Sequence, residues 1–401
     1  AFQELFKIKQ SSLVLNGIRP QYTGQPAVIP LGLTWEKSTT LNLGLDFAFL
    51  SNRLQFSGDI YQRKTTDMFT VGMSLPAVFG TDVPKGNYAD LTTKGFELSV
   101  SWRDQFQLAS KPFNYEVRFT LADYQSTIDK YNNPEKKLGD DYYYEGMKVG
   151  EIWGYETEGF FTSQADIDSH AKQPYFYAGA TAGQWLPGDI KFKDLNGDGV
   201  IDYGNNTVDN PGDQKIIGNS EPRFIYGINL SGDWNNFFVS AFFQGVGKQD
   251  WWPGSEASYF WGMYNRPYND MPKSHLGNIW TEENPNTYFP RLRGYSSEEP
   301  YAELNLKQTR YLQNIAYIRM KNIQLGYTLP KSFISKLRMQ NAKVYVSGEN
   351  LWSWSPFYKY SKDLDVEAVR GSDRDLTEGT SGNGYSYPIL KSVSFGLSVT
   401  F

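Results

Sequence analysis

The end of the chain, residues 391–401, constrains the fold more than any other segment, because apolar and polar residues alternate through it almost without interruption. Val393, Phe395, Leu397, Val399 and Phe401 are apolar, whereas the residues between them are serine, glycine or threonine. In a β-strand, a period of two places the two sets on opposite faces of the sheet. The apolar set carries no charge and ends on an aromatic residue. This pattern is typical of the closing strand of an outer-membrane β-barrel.

Similar alternation recurs along the chain and predicts nine strands in all. They are residues 39–50, 53–65, 92–103, 113–124, 223–233, 236–246, 316–329, 341–350 and 391–401. The alternation shifts once, in the seventh segment, between Met320 and Ile323. A shift of this kind requires an extra residue in one strand, so we expect a β-bulge near Asn322.

The connections between these strands alternate strictly between short and long. The short ones are residues 51–52, 104–112, 234–235 and 330–340, and the long ones are residues 66–91, 125–222, 247–315 and 351–390. In an antiparallel meander, all short turns then lie at one end and all long loops at the other. Outer-membrane barrels have this polarity, with periplasmic turns and extracellular loops. We therefore expect extracellular long loops and a periplasmic C-terminus.

Aromatic residues gather where strands meet the short turns, which predicts an interfacial girdle at Trp102, Phe106, Phe113, Trp234 and Phe237. A soluble β-sandwich or propeller is the alternative fold. Connections as long as residues 125–222 are uncommon between adjacent strands of such folds, and no fixed repeat period is present. The pattern favours an all-β transmembrane barrel wall.

Composition narrows the classes of protein further. No run of 18 apolar residues occurs, so a membrane-spanning helix is not expected. A net charge of −5 with scattered basic residues argues against nucleic acid as a partner. The absence of cysteine excludes disulfides and thiol chemistry. Residues 1–10 lack the pattern of a secretion signal, which predicts a mature piece or a C-terminal fragment of a longer protein.

One loop resembles a calcium-binding loop. Its oxygen donors would be Asp194, Asn196, Asp198, the Val200 carbonyl and Asp202, with Gly199 at the sixth position, where the loop must turn sharply. The twelfth position, usually a bidentate glutamate, is an asparagine, and no helical pattern flanks the loop. The sequence predicts a structural Ca²⁺ site that stiffens a long loop. The alternative is a cluster of Asx-turns without metal.

A second group is aromatic and predicts substrate binding. Trp251, Trp252, Tyr259, Trp261 and Tyr264 crowd one long loop among amides and carboxylates. Aromatic rings can stack on the C–H face of a sugar while nearby polar groups bond its hydroxyls. Alternatively, the rings pack against a lid or neighbouring loops. Trp352, Trp354, Tyr358 and Tyr360 form a weaker candidate set.

His170 and His275 lie in polar loops without a nucleophile motif, so we expect no catalytic site and no enzyme.

Several motifs resemble the C-terminal part of the SusC/RagA family of TonB-linked outer-membrane transporters. The most specific is the stretch Gly-Asp-Ile-Lys-Phe-Lys-Asp-Leu-Asn-Gly-Asp-Gly at residues 188–199. The others lie at residues 33–38, 41–47, 94–98, 319–330 and 344–351, in the order that the family shows. The resemblance extends from about residue 33 to the end of the chain.

This resemblance implies a barrel of about 22 strands, filled by a plug and coupled to the TonB complex. Residues 1–401 would then supply the C-terminal part of the barrel, without the plug and first strands. An open sheet has unpaired edges, which are not viable in lipid, so another segment should complete the wall. The implied function is import of a nutrient oligomer, a glycan or else a peptide, with a SusD-type surface lipoprotein. The alternatives are a passive porin or adhesin barrel and a secreted carbohydrate-binding β-protein.

Overall fold

The computed structural model describes residues 6–24, 29–30, 32–72, 78, 83–139, 142–174, 184–255, 257–265, 268, 270–293, 302–369 and 388–401. Its strands are β1 (Lys7–Gln10), β2 (Gln21–Gly24), β3 (Lys37–Phe49), β4 (Leu54–Val71), β5 (Lys85–Leu108), β6 (Lys111–Lys130), β7 (Glu151–Tyr155), β8 (Thr157–Phe160), β9 (Ile190–Phe192), β10 (Gln214–Asn219), β11 (Arg223–Trp234), β12 (Phe237–Lys248), β13 (Asp250–Trp251), β14 (Gln313–Asn314), β15 (Tyr317–Thr328), β16 (Asn341–Trp354) and β17 (Ser392–Thr400).

Helices are few and short in the described residues. Three are α-helical, α1 (Gln164–Ser169), α2 (Ser258–Trp261) and α3 (Lys331–Ile334). Four 3₁₀ turns occupy Gly262–Tyr264, Lys273–His275, Ser335–Leu337 and Pro356–Lys359. Over the part of the chain that the structure describes, no helix has both the length and the apolar character needed to cross a membrane.

The main element is a nine-stranded sheet, which we call the wall. Its strand order is β17-β16-β15-β12-β11-β6-β5-β4-β3, and every neighbouring pair is antiparallel. Each wall strand pairs with the wall strand that precedes it in the sequence, so the wall is a meander. The nine strands expected from the sequence are therefore confirmed. The outermost strands, β3 and β17, do not pair with each other in the described residues.

Two wall strands are longer than the alternation predicted. Pairing of β5 with β6 continues to Leu108 and Lys111, so the expected connection at residues 104–112 shrinks to the turn Ala109-Ser110. Both turn residues have positive φ, 51° and 63°, as the tight hairpin turns of right-twisted strands require. The prediction failed because polar side chains alternate with Phe106 there and resemble a loop. Similarly, β4 and β5 extend into the expected loop at residues 66–91.

The remaining connections keep the alternation of short and long. The turn at Asn235 and Asn236 also has positive φ at both positions, 46° and 70°. The long connections lie between β4 and β5, between β6 and β11, between β12 and β15, and between β16 and β17. The expected bulge is confirmed, because the register between β15 and β16 shifts between Met320 and Asn322.

Buried apolar residues are concentrated in the long connections rather than between layers of sheet. The larger cluster includes Ile190, Phe192, Phe260, Trp261, Tyr264, Phe289, Tyr311 and Phe357. A smaller cluster gathers Leu138, Tyr144 and Met147 around Ile128 of β6. The short strand pairs β7–β10, β8–β9 and β13–β14 lie in the same connections. The long loops therefore have cores of their own and are not loose coil.

Candidate functional site

The wall has one continuous apolar face. Cross-strand register aligns its rows, as Leu43 opposite Ile60, Phe56 opposite Val100, and Val346 opposite Phe395. At the edges these side chains are strongly exposed, 69% for Leu43, 86% for Phe395 and 67% for Leu397. A soluble protein rarely exposes so large an apolar surface. No second layer of described protein covers these side chains at the two edge strands, as contact with lipid requires.

The opposite face of the wall is polar and internally bonded. Asn42 donates to Asp59 across β3 and β4 at 2.9 Å. Asn114 donates to Asp233 across β6 and β11 at 2.8 Å. Mixed amides and carboxylates of this kind suit the water-filled or plug-filled side of a barrel. The polar face therefore matches the interior side of a barrel.

Aromatic contacts occupy the short-turn end of the wall, where the sequence predicts a girdle. The rings of Phe106 and Phe113 lie 5.0 Å apart, and those of Phe237 and Tyr327 lie 4.7 Å apart. The Trp234 indole N–H donates to the Leu108 carbonyl at 2.9 Å. Aromatic residues with one polar end favour the membrane interface.

The five aromatic residues predicted to bind substrate have different environments. Trp251, Trp261 and Tyr264 are buried, the last two at 0% exposure, and pack within the larger loop cluster. Trp261 donates to the Pro253 carbonyl at 3.0 Å, and Tyr264 donates to the Pro290 carbonyl at 2.5 Å. These three therefore have the packing role that was the alternative, because a buried ring presents no face to a ligand.

The other two members keep some accessible surface. Tyr259 is 54% exposed, and Trp252 is half-buried against the cluster. Substrate binding by these two stays a prediction. In the weaker set, Trp352 and Trp354 lie opposite Met320 and Ile318 of β15. This register places both indoles on the apolar face of the wall and away from the polar side.

A buried ionic cluster forms around Asp189, which lies in the motif at residues 188–199. The sequence analysis did not predict this cluster. The carboxylate of Asp189 is fully buried and accepts from Arg291 Nε at 2.6 Å and from Arg293 Nε at 2.7 Å. It also accepts the Leu186 backbone N–H at 2.7 Å. A second buried carboxylate, Glu303, accepts the Ile190 backbone N–H at 2.9 Å. Burial, followed by the nearby Asp189 charge, raises the pKa of Glu303 to about 8.

This cluster links the connection between β6 and β11 to the connection between β12 and β15. Arg291 and Arg293 follow Asp189 by about a hundred residues, and both lie in a connection different from that of Asp189. The two arginines compensate the cost of removing the Asp189 carboxylate from water. A single buried charge without such partners would be strongly destabilising. The only signal in the sequence was the acidic residue within the motif at residues 188–199. Nothing in the sequence identified its partners.

In the structure, the Asp194 loop is held by its own side chains. Asp194 accepts the backbone N–H groups of Gly197 at 2.6 Å and Gly199 at 2.9 Å, and these bonds, led by that from Gly199, lower its pKa. The Asp198 carboxylate accepts the Val200 N–H at 2.8 Å. Asp213 accepts the Asp202 N–H at 2.8 Å, while burial raises the pKa of Asp213.

These bonds match the Asx-turn alternative, yet the accepting carboxylates are also hard oxygens of the type that Ca²⁺ prefers. Over the described residues, no group of three or more histidine, aspartate or glutamate side chains is close enough together to hold a metal ion. The calcium site stays a prediction.

His275 is fully buried and bonds the Phe260 carbonyl at 2.9 Å, and burial lowers its pKa. These contacts give His275 a structural role.

Comparison with known proteins gives a consistent result. The TonB-dependent receptor P3 of Formosa agariphila is 28% identical over 387 residues, which cover 92% of this chain and 34% of that receptor. The TonB-dependent receptor SusC of Bacteroides thetaiotaomicron is 23% identical over 396 residues, covering 94% of this chain and 33% of SusC. No protein-family profile matches the chain.

Solved structures show the same fold. The RagAB peptide importer in its closed-closed state superposes with a TM-score of 0.69 at 20% identity, covering 100% of this chain and 38% of that chain. The open-open state gives a TM-score of 0.67. This chain thus spans about a third of the length of its relatives. The wall has the fold of a part of the antiparallel β-barrel of these solved structures, and the chain is similar in sequence to TonB-dependent receptors, SusC among them.

Proposed function

We propose that the complete protein imports a nutrient oligomer across the bacterial outer membrane with energy supplied through TonB. The observation that carries this proposal is a wall with an exposed apolar face and a polar opposite face, in a chain whose relatives are TonB-dependent receptors. Lipid would contact the apolar face, and the solute would pass along the polar face. The long connections would be extracellular and the end of β17 periplasmic. The relatives are receptors and an importer, in line with the expectation that the chain is not an enzyme.

The proposal includes several partners. Within the described residues, β3 and β17 each have one edge that pairs with no strand, and we propose that the rest of the barrel pairs with both edges. A plug would fill the space beside the polar face and connect to the TonB complex. A SusD-type lipoprotein would cover the long connections. The structured cores of those connections support this role, because a lid needs a surface of fixed shape.

A glycan is the favoured cargo, because exposed tyrosines and amides line the long connections. A peptide is the second candidate, since the structural neighbour RagAB is described as a peptide importer. In the complete cell, uptake of an oligosaccharide pool and of a peptide pool should be compared in strains with and without the gene. The same uptake measurements are repeated for both strains in a genetic background that lacks functional TonB.

Import should require both the gene and TonB. Uptake that depends on the gene but persists without TonB would instead indicate a passive porin. Absence of any gene-dependent uptake of either pool would refute import of these cargoes. A chain that stays folded and monomeric in water without detergent would indicate the secreted alternative.

We also propose that the Asp194 loop binds Ca²⁺. Asp194, Asn196, Asp198 and Asp202 would supply side-chain oxygens, and the Val200 carbonyl would supply a backbone oxygen. Calorimetry on the complete protein should detect heat when Ca²⁺ is added, and the D198A variant should lose it. Equal heat for both proteins, or none for either, would leave the loop as an Asx-turn cluster.

A further inference from the structure

A cavity of about 410 Å³ lies within the long connections, and its lining includes none of the aromatic residues that the sequence predicted to bind substrate. Three separate stretches line it, residues 138–155, 203–214 and 305–307. Its volume falls in the range of about 300–1,000 Å³ that is usual for ligand pockets. We call it the Tyr144 cavity.

The floor of the cavity is apolar and fixed in shape. Leu138, Tyr144 and Met147 are buried there, and Trp153 packs against them. The Tyr144 hydroxyl donates to Glu151 Oε2 at 2.5 Å and accepts from the Trp153 indole N–H at 3.3 Å. The other oxygen of Glu151 accepts the Lys148 backbone N–H at 3.1 Å. These bonds hold both aromatic side chains in place before a ligand arrives.

The rim of the cavity supplies two accessible tyrosine rings and two side-chain amides. Tyr142 and Tyr203 are 45% and 37% exposed. The Asn206 amide nitrogen donates to the Leu138 carbonyl at 2.9 Å. Among the described residues, the side-chain amide of Gln214 bonds no other protein group, although Gln214 lines the cavity. An amide held at a cavity wall without a protein partner can bond a ligand hydroxyl as both donor and acceptor.

The chemistry of this lining selects one class of ligand. The described lining carries one carboxylate, Glu151, and one cation, Lys307, so it offers no cluster of like charges for an ionic ligand. Tyrosine rings provide flat apolar surface, and amides provide paired donors and acceptors. A pyranose ring has an apolar C–H face and a rim of hydroxyls, and it matches both features.

We infer that the Tyr144 cavity binds a neutral pyranose unit of the transported oligomer, with Gln214 bonding its hydroxyls and Tyr203 stacking on its face. This inference rests on the proposed import function and adds to it a binding site and the residues that recognise the cargo. Glu151 acts as a positioning residue for Tyr144.

Native mass spectrometry of the complete transporter tests the inference. The protein is incubated with neutral glucose oligosaccharides from partly hydrolysed starch and cellulose, and separately with a tryptic peptide digest of casein. Wild type should retain an oligosaccharide. The double variant Q214A/Y203A should retain at least about tenfold less, which corresponds to about 1.4 kcal/mol. Y203F keeps the ring and should retain wild-type binding, and F333A, an exposed aromatic in the short-turn region, is the matched control.

Each outcome supports or overturns the inference. Equal sugar retention by wild type and Q214A/Y203A would overturn it, as would retention of peptides alone or of neither pool. Uptake by cells separates the two levels of the argument. If TonB-dependent oligosaccharide uptake is intact in Q214A/Y203A, the cavity assignment fails while the import function stands. If no TonB-dependent uptake of any pool occurs in wild type, the proposed function itself fails.

Discussion

The buried ionic cluster makes a quantitative prediction about the long connections. The D189N variant removes the carboxylate that accepts from Arg291 at 2.6 Å and from Arg293 at 2.7 Å. The Arg293 side chain is only 5% exposed and would lose its buried ion pair with Asp189. Breaking a buried pair in this way costs about 3–5 kcal/mol.

Two features place the expected cost near the lower end of that range, at about 3 kcal/mol. The Arg291 side chain is 25% exposed and can regain water. Glu303 lies close enough that the Asp189 charge raises its pKa, and removal of that charge lets Glu303 ionise more readily. An ionised Glu303 would partly compensate the two arginines.

Limited proteolysis of the long connections, with the complete protein in detergent, measures this effect. When cleavage follows the population of the opened state, about 3 kcal/mol raises the cleavage rate by about a hundredfold. The matched control is E145Q, which changes an exposed carboxylate in the same connection and should shift stability by less than about 0.5 kcal/mol. Equal cleavage rates for D189N and E145Q would refute the conclusion that Asp189 ties the loops together.

Two further predictions follow from the same loops. Because the folded-state pKa of Glu303 is raised from 4.5 to about 8, the folded loops bind more protons than the unfolded chain between these values. The stability of the fold should therefore fall as pH rises from about 4.5 to 8. In thermal unfolding, E303Q should remove this pH dependence. An unchanged dependence of the melting temperature on pH in E303Q would contradict the raised pKa of Glu303. Trp261 is fully buried whereas Tyr259 is 54% exposed. W261A should therefore lower the free energy of unfolding by about 3–5 kcal/mol. Y259A should leave the melting temperature nearly unchanged, and it should reduce cargo retention if Tyr259 contacts cargo. Similar melting temperatures for the two variants would contradict the burial argument.

The wall could be predicted from the sequence because its signal is local. Alternation between Leu41 and Phe49, or between Val393 and Phe401, specifies both the strand and its lipid-directed face. Strand ends were harder, since Gln105 and Gln107 continue the pairing of β5 with β6 although their polarity resembles a loop. Local polarity carries less information where a strand extends beyond the apolar layer.

The loops could not be predicted because their contacts are distant in sequence. Trp261 and Tyr264 were expected at a binding surface, yet residues as far away as Phe289 and Tyr311 enclose them. An aromatic residue in a polar stretch fits a binding surface and a loop core equally well. The Tyr144 cavity was missed for the same reason, since its lining comes from three separate stretches.

The central claim is that the apolar face of the wall contacts lipid, and site-directed spin labelling tests it most directly. The sequence contains no cysteine, so single cysteines can be introduced without a background signal. Each residue from Val393 to Ser398 is replaced in turn, and the complete protein is reconstituted in bilayers. Collisions of the label with oxygen, which concentrates in lipid, should be frequent at positions 393, 395 and 397 and rare at positions 394, 396 and 398. Equal oxygen accessibility at both sets, or protection of the first set by protein, would contradict the account.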